Sequence, residues 1–181
     1  MFGNNDVPNQ LVLGNGDGTF QESAEFDTPI AQTYSVACGD VNGDGHADIV
    51  FGNYDAPNVM LFGDGTGSFG PAIDLEGVLC PPSFLLRPLI RSHAPTGEKT
   101  RAVAIADMDQ DGMMDVIIAG DKTNLWMSGG DTAAKSQANP LPGGEAKTWS
   151  IATRDINADG KMDLVFGNTA NVPSLVLMND C

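Results

Sequence analysis

Three segments of the chain repeat one spacing of oxygen-bearing side chains, Asp-x-Asp/Asn-x-Asp-Gly-x-x-Asp. Side chains at positions 1, 3 and 5 can converge on one cation as such a loop curls, and the glycine at position 6 permits a sharp turn. The carbonyl of position 7 and the carboxylate of position 9 complete a shell of hard oxygen ligands, which favours calcium over zinc, copper or magnesium. We predict three Ca²⁺ sites, formed by Asp40, Asn42, Asp44, His46 and Asp48 in loop one, Asp107, Asp109, Asp111, Met113 and Asp115 in loop two, and Asp155, Asn157, Asp159, Lys161 and Asp163 in loop three.

The first six positions also match the calcium loop of an EF-hand, which needs Glu at position 12. Here that position holds Phe51, Ile118 or Phe166, each inside an apolar run typical of a strand, so an EF-hand is excluded. Loop two carries an Asp at position 3 where the other two loops carry Asn, and it therefore has the most carboxylates. We expect it to bind calcium most tightly.

The loops lie within a repeat that predicts four short strands, A to D. Strand A precedes each loop and alternates small with larger residues, so that its small face allows neighbouring sheets to pack closely. Strand B follows the loop, strand C follows B, and Gly-rich turns lead to Phe20 and Phe69, which we expect to open a weaker strand D. The predicted ranges are 35–40, 102–107 and 150–155 for A, 48–53, 115–120 and 163–168 for B, and 11–13, 60–62, 125–127 and 175–177 for C.

Four short strands per repeat indicate the blades of a β-propeller. We predict an all-β chain of four-stranded antiparallel sheets, a partial propeller of about 3.5 blades. Residues 76–99 lack strand or helix periodicity and concentrate basic and apolar residues, so we expect a surface loop or an interface there. The predicted units are a partial blade at 1–31, blades at 32–75 and 100–145, the insertion at 76–99, and a partial blade at 146–181.

The motifs resemble FG-GAP/VCBS repeats. The resemblance rests on the Asp loops, on Phe51-Gly52 and Phe166-Gly167 after them, and on Asn-Gly-Asp-Gly-Thr-Phe at 15–20. It implies a β-propeller similar to the head of integrin alpha subunits, with calcium loops between strands A and B on one rim. The middle unit departs from the pattern, because Ala119-Gly120 replaces Phe-Gly.

Charge and motif content exclude several classes of function. The formal charge is −15, from 24 acidic and 9 basic residues, and such a surface repels a nucleic-acid backbone. The sequence has no apolar run of about 18 residues and no leader pattern, so we expect neither a membrane span nor a signal peptide within it. His46 and His93 are the two histidines, and no nucleophile elbow, phosphate loop or zinc motif occurs, so we predict no catalytic residue.

The resemblance implies an extracellular or cell-surface module for recognition, adhesion or assembly that binds a protein partner. A lectin-like propeller that binds carbohydrate is the alternative, and its candidate aromatic residues are Tyr34, Tyr54, Trp126 and Trp149, of which Trp126 is expected in the core. The third hypothesis is a non-catalytic domain of a secreted lyase or lipase.

An open array of blades would leave apolar faces uncovered at both ends. We therefore expect either that the repeats belong to a longer propeller or that chains self-associate through these faces.

Overall fold

A computed structural model describes residues 7–75, 99–121, 124–130, 138–142, 147–169 and 171–180. These residues form thirteen strands in four antiparallel sheets, and no helix is present among them. The all-β prediction is confirmed. Residues 1–6 of the first predicted partial blade and almost all of the predicted insertion lie outside the described residues.

The strands pair in the order in which they follow one another along the chain. A two-stranded hairpin comes first, followed by sheets of four, four and three strands, which we call blades 1, 2 and 3. The hairpin contains β1 (Gln10–Leu11) and β2 (Ala24–Glu25); blade 1 contains β3 (Thr33–Gly39), β4 (Asp48–Asn53), β5 (Val59–Leu61) and β6 (Ile73–Asp74); blade 2 contains β7 (Thr100–Ala106), β8 (Asp115–Gly120), β9 (Leu125–Met127) and β10 (Asn139–Pro140); blade 3 contains β11 (Thr148–Arg154), β12 (Asp163–Asn168) and β13 (Leu175–Leu177).

Strands A, B and C begin and end within two residues of their predicted ranges, but strand D does not begin at Phe69. That residue forms an isolated bridge with Gly63 and closes the Gly-rich hairpin turn, and β6 begins four residues later, at Ile73. Phe20 bridges Gly14 in the same way, ahead of β2. The prediction was wrong because a long Gly-Asp-Gly turn needs its own closing pair before the next strand can reach strand C.

Blades 1 and 2 pack face to face through the small side of strand A. A Cβ atom placed on Gly39 would lie 2.6 Å from Cγ2 of Ile105, so the side chain of blade 2 occupies the space that glycine leaves. Ala37, Val50 and Met60 pair across β3, β4 and β5, and they pack on Val103, Val116 and Ile118 of blade 2. The close packing predicted for the small face is confirmed.

Blade 2 packs on blade 3 in the same way, through Ile117 and Ala119 against Leu164 and Phe166. The other side of blade 1 packs on the hairpin, where the rings of Phe26 and Phe51 lie 5.3 Å apart. Blades 1 and 2 are therefore buried on both sides, and all residues of β4 and β8 are buried.

A buried hydrogen bond repeats at each junction between blades. Asn58 Nδ2, just before β5, donates to Thr100 Oγ1 at the start of β7, over 3.0 Å. Asn124 makes the same bond to Thr148 and Asn9 makes it to Thr33, each at 3.0 Å. Polar groups buried in an interface are costly unless they are hydrogen-bonded. The bond therefore determines the position of each blade relative to the next.

Candidate metal centre

The three Asp loops connect strand A to strand B in each blade and adopt one conformation. Position 6 is a glycine in the left-handed region in every loop, as predicted. Position 4 is also left-handed, which the sequence pattern does not reveal because only loop one has glycine there. The φ values are 77° at Gly43, 61° at Gln110, 61° at Ala158, 87° at Gly45, 89° at Gly112 and 87° at Gly160.

The position 1 carboxylate faces the interior of its loop. Asp40 Oδ1 accepts hydrogen bonds from the amides of Gly43 and Asp44, and its Oδ2 accepts one from Gly45 N at 2.8 Å. Asp155 accepts the equivalent bond from Gly160 N at 2.9 Å. These bonds hold the loop curled around one carboxylate.

The position 9 aspartate has a role beyond the predicted one of metal ligand. Asp48 is fully buried; its Oδ2 accepts from Val41 N at 2.8 Å and its Oδ1 from Gly63 N at 3.0 Å. Asp115 accepts from Met108 N at 2.7 Å and Gly129 N at 2.8 Å in the same arrangement. Each of these carboxylates therefore ties its loop to the turn after strand C. Asp163 completes the set by accepting from Ile156 N and Asn179 N.

Positions 3 and 5 form successive Asx turns. Asn42 Oδ1 accepts from Asp44 N at 3.0 Å, and Asp44 Oδ1 accepts from His46 N at 2.8 Å. A hydrogen bond from the Asn42 side chain is the main cause that lowers the pKa of Asp44. In loop three the pKa of Asp159 is also lowered, chiefly by the hydrogen bond from Lys161 N. These aspartates are therefore held in the ionised form that binds cations.

Loop two brings three carboxylates together. Asp107, Asp109 and Asp115 each offer an oxygen, and these atoms lie within 4.8 Å of one another. Among the described residues this is the one group of three acidic, His or Cys side chains that meets this spacing, and Asp111 is not part of it. Loops one and three have Asn at position 3, so their predicted ligand sets contain fewer carboxylates.

Two observations show that the loop two cluster fits a cation. Asp107 Oδ1 is buried and has no hydrogen-bond partner, which is costly for a carboxylate oxygen unless a cation lies beside it. Burial raises the pKa of Asp115, and the negative charges of Asp109 and Asp111 raise it further against the lowering effect of two backbone hydrogen bonds. A divalent cation would relieve both the unpaired oxygen and the repulsion.

The loops also contact the next blade. Gly130 N of blade 2 donates to Val41 O of loop one at 2.7 Å. Asn179 Nδ2 of blade 3 donates to Met108 O of loop two at 2.7 Å, and Gln110 Nε2 donates to Gly160 O of loop three at 2.9 Å. The conformation of each loop is thus coupled to its neighbour.

Three of the aromatic candidates for sugar binding lie at the opposite end of strand A. Tyr34 and Tyr54 stack with ring centroids 4.8 Å apart, and Trp149 is 53% exposed. The Arg101 guanidinium covers one face of Trp149 at 4.0 Å and pairs with Asp121. Tyr54 is only partly exposed within this stack, which makes it a poor platform for a sugar ring. Trp126 is partly buried in the core between blades 2 and 3, as expected.

The family model of the FG-GAP-like repeat matches residues 1–51 and 107–166, together more than half of the chain. The chain belongs to this family. FG-GAP-like repeats are a non-catalytic repeat family with a propeller-like fold, typical of extracellular proteins. No curated protein matches the chain. Within the described ranges, the FG-GAP-like array has no helix that is long and apolar enough to span a membrane.

Proposed function

We propose that this chain is a calcium-stabilised propeller module of an extracellular recognition or adhesion protein and that it binds a protein partner. The observation that carries the proposal is the carboxylate cluster of loop two, with the unpaired buried oxygen of Asp107. The same loop conformation in blades 1 and 3 supports calcium binding there as well. The residues that would hold the three ions are the side chains at positions 1, 3, 5 and 9 and the carbonyls of His46, Met113 and Lys161.

Bound calcium would supply positive charge to loops that concentrate acidic side chains on one rim. Contacts within the chain would transmit this effect beyond the loops. Each loop is bonded through position 9 to the turn after strand C and through its backbone to the next blade. Neutralising the loops would therefore stiffen the whole rim, and a rigid rim is a surface on which a partner can bind without first ordering it.

Calcium removal tests this role. We expect millimolar calcium to raise the melting temperature above that in EDTA, because an ion that binds only the folded state stabilises it. At one hundred times its Kd, one site contributes about 2.7 kcal/mol, which for a chain of this size is a shift of about 5–10 °C. Superimposable melting curves in calcium and EDTA would contradict the proposal.

Asp109→Asn sharpens the test, because it gives loop two the same position 3 as loops one and three. We expect the tightest calcium-binding step in titration calorimetry to weaken by about tenfold, or about 1.4 kcal/mol. Asp27→Asn, at an exposed site outside the loops, removes the same charge and is the matched control. Equal effects of the two substitutions would show that the titration reports general charge rather than a site.

A lectin role is the second candidate function, and an open cavity between blades 2 and 3 favours it.

A further inference from the structure

The interface between blades 2 and 3 contains an open cavity of about 360 Å³. Its apolar floor is formed by Met108, Trp126 and Leu141. Its polar rim comes from Asp109, Gln110, Lys161 and Asn179, at the end of the interface that carries loops two and three.

The equivalent place between blades 1 and 2 is closed. Val41 and Met60, which correspond to Met108 and Trp126, are 0% exposed, and Leu75, which corresponds to Leu141, is 8% exposed. Leu75 N and Leu141 N donate to the equivalent carbonyls of Asn58 and Asn124, both at 2.8 Å, so the correspondence is one of structure as well as sequence. In the second interface, all three floor residues are only partly buried.

The rim residues of the two interfaces differ as well, and the second interface is again the less closed of the two. In the first interface the side chain of Met113 packs over Gly43, with Cγ 3.6 Å from where a Cβ on that glycine would lie. Gln110 and Lys161 stand at these positions in the second interface, so an apolar cover is replaced by an amide and an ammonium group. Gly129, which is closely packed against Val41 O, is likewise replaced by Asn179.

The rim groups remain available for a ligand. Within the described part of the chain, Lys161 forms no ion pair, and Gln110 is exposed. Gln110 is held across the gap by its bond to Gly160 O. An aromatic floor surrounded by both donors and acceptors suits a molecule with an apolar face and a hydroxylated edge, since each hydroxyl can donate and accept.

We propose that this cavity binds a saccharide, with the C–H face of one sugar ring against Trp126 and its hydroxyls bonded by Lys161 and Gln110. The volume is near the lower end of the roughly 300–1,000 Å³ typical of ligand pockets, which suits one or two sugar rings. The inference rests on the lectin role, the second candidate function given above, and names a ligand class and a site for it.

Tryptophan fluorescence tests the site directly. The chain has two tryptophans, so Trp149→Phe leaves Trp126 as the sole reporter, at the floor of the cavity. We expect a saturable change in its emission on titration with at least one member of a panel of hexoses, N-acetylhexosamines and sialic acid.

Adding Gln110→Gly and Lys161→Met to this variant reproduces the Gly43–Met113 pair of the closed interface. Binding should weaken by at least about tenfold, because the polar partners are lost and methionine covers the opening. Neither change removes a predicted calcium ligand atom, and glycine suits the φ of 61° at position 110, so the fold should be kept. Ala158→Gly with Lys147→Met makes the same kinds of change away from the cavity and should leave sugar binding intact.

A panel without any response, binding that survives the Gln110→Gly and Lys161→Met changes, or a response only to an apolar peptide would each overturn the proposal. The calcium melt of the same proteins separates the two roles. A calcium shift without sugar binding overturns the saccharide site alone, and sugar binding without a calcium shift overturns the calcium role alone.

Discussion

At the scale of single residues, Arg101 of blade 2 forms an ion pair within its own blade and contacts an aromatic ring of each neighbouring blade. Its Nε lies 2.6 Å from Asp121 Oδ1, and the two side chains are 11% and 15% exposed. The guanidinium also stacks on Trp149 of blade 3 and lies 5.0 Å from the ring centre of Tyr54 in blade 1. One side chain at the start of strand A therefore links all three blades at the rim away from the calcium loops.

Asp121→Asn should lower the free energy of unfolding by about 1–3 kcal/mol at pH 7, because it weakens a largely buried charged hydrogen bond. The hydrogen bond from Arg101 lowers the pKa of Asp121 below its ordinary value. The carboxylate therefore stabilises the fold above its unfolded pKa of about 3.9, and this contribution is lost as the pH falls through the lower folded value. Urea unfolding at a series of pH values should show the gap to wild type narrowing below about pH 4.

Asp55→Asn, at an exposed site on the same rim, is the control and should have little effect at any pH. A gap for Asp121→Asn that stays constant into acid would contradict the role assigned to the ion pair.

At the scale of elements, strand A determines how closely the blades approach. Its small face in β3 meets Val103 and Ile105 of β7 without a gap, and Ser35 Oγ even accepts a hydrogen bond from Val103 N at 3.0 Å. Alternation along a strand places these small residues on one side, so the spacing between sheets is encoded locally.

Gly39→Ala should destabilise the chain by about 1–3 kcal/mol, the usual cost of overpacking a tight interface. The added Cβ would lie 2.6 Å from Ile105 Cγ2, a branch atom that cannot move far without shifting its blade. Gly70→Ala is the matched control, because the nearest atom to its new Cβ is 3.7 Å away and the site is exposed. Thermal or urea unfolding measures the stability of both variants. Equal stability would contradict the prediction, because the interface would then accommodate the added methyl group.

At the scale of the whole molecule, the outer face of blade 3 stands apart from its equivalents. Val176 corresponds to Met60 and Trp126, and it pairs with Val165 as Met60 pairs with Val50, but it is 50% exposed where Met60 is 0% exposed. Ser174 stands where Asn58 and Asn124 bond to the following blade. The described residues therefore present a blade face with apolar side chains and no blade against it.

We expect the chain to self-associate through this face, because apolar blade faces are rarely left in water. Light scattering should show a mass that rises with concentration, and Val176→Lys should reduce it. Val172→Lys makes the same change at an exposed turn residue and should leave association unchanged. A monodisperse monomer at high concentration would contradict the prediction.

Much of the fold is local enough to be predicted. The middle of strand B is a continuous apolar run because both faces of the strand are buried, and strand A alternates because only one of its faces must be small. Asp at position 9 could be assigned to the loop from spacing alone. Its bonds to Gly63 or Gly129 could not, because the turn after strand C is distant in sequence and nothing in the pattern marks it as a donor.

The repeat, the order of strands, the three oxygen-rich loops and the family resemblance could all be predicted from the amino-acid sequence, because each is carried by motifs of about ten residues. The three-dimensional structure was needed to show which carboxylates of loop two come together, which aromatic residues stay exposed, and that one interface is closed while the next is open. Val41 and Met108, or Met60 and Trp126, look interchangeable as apolar residues in a sequence. Whether they fill an interface depends on side chains that the opposite blade contributes, such as Met113 or Lys161. The fit between the side-chain volumes of two facing blades is therefore seen only in the packed structure.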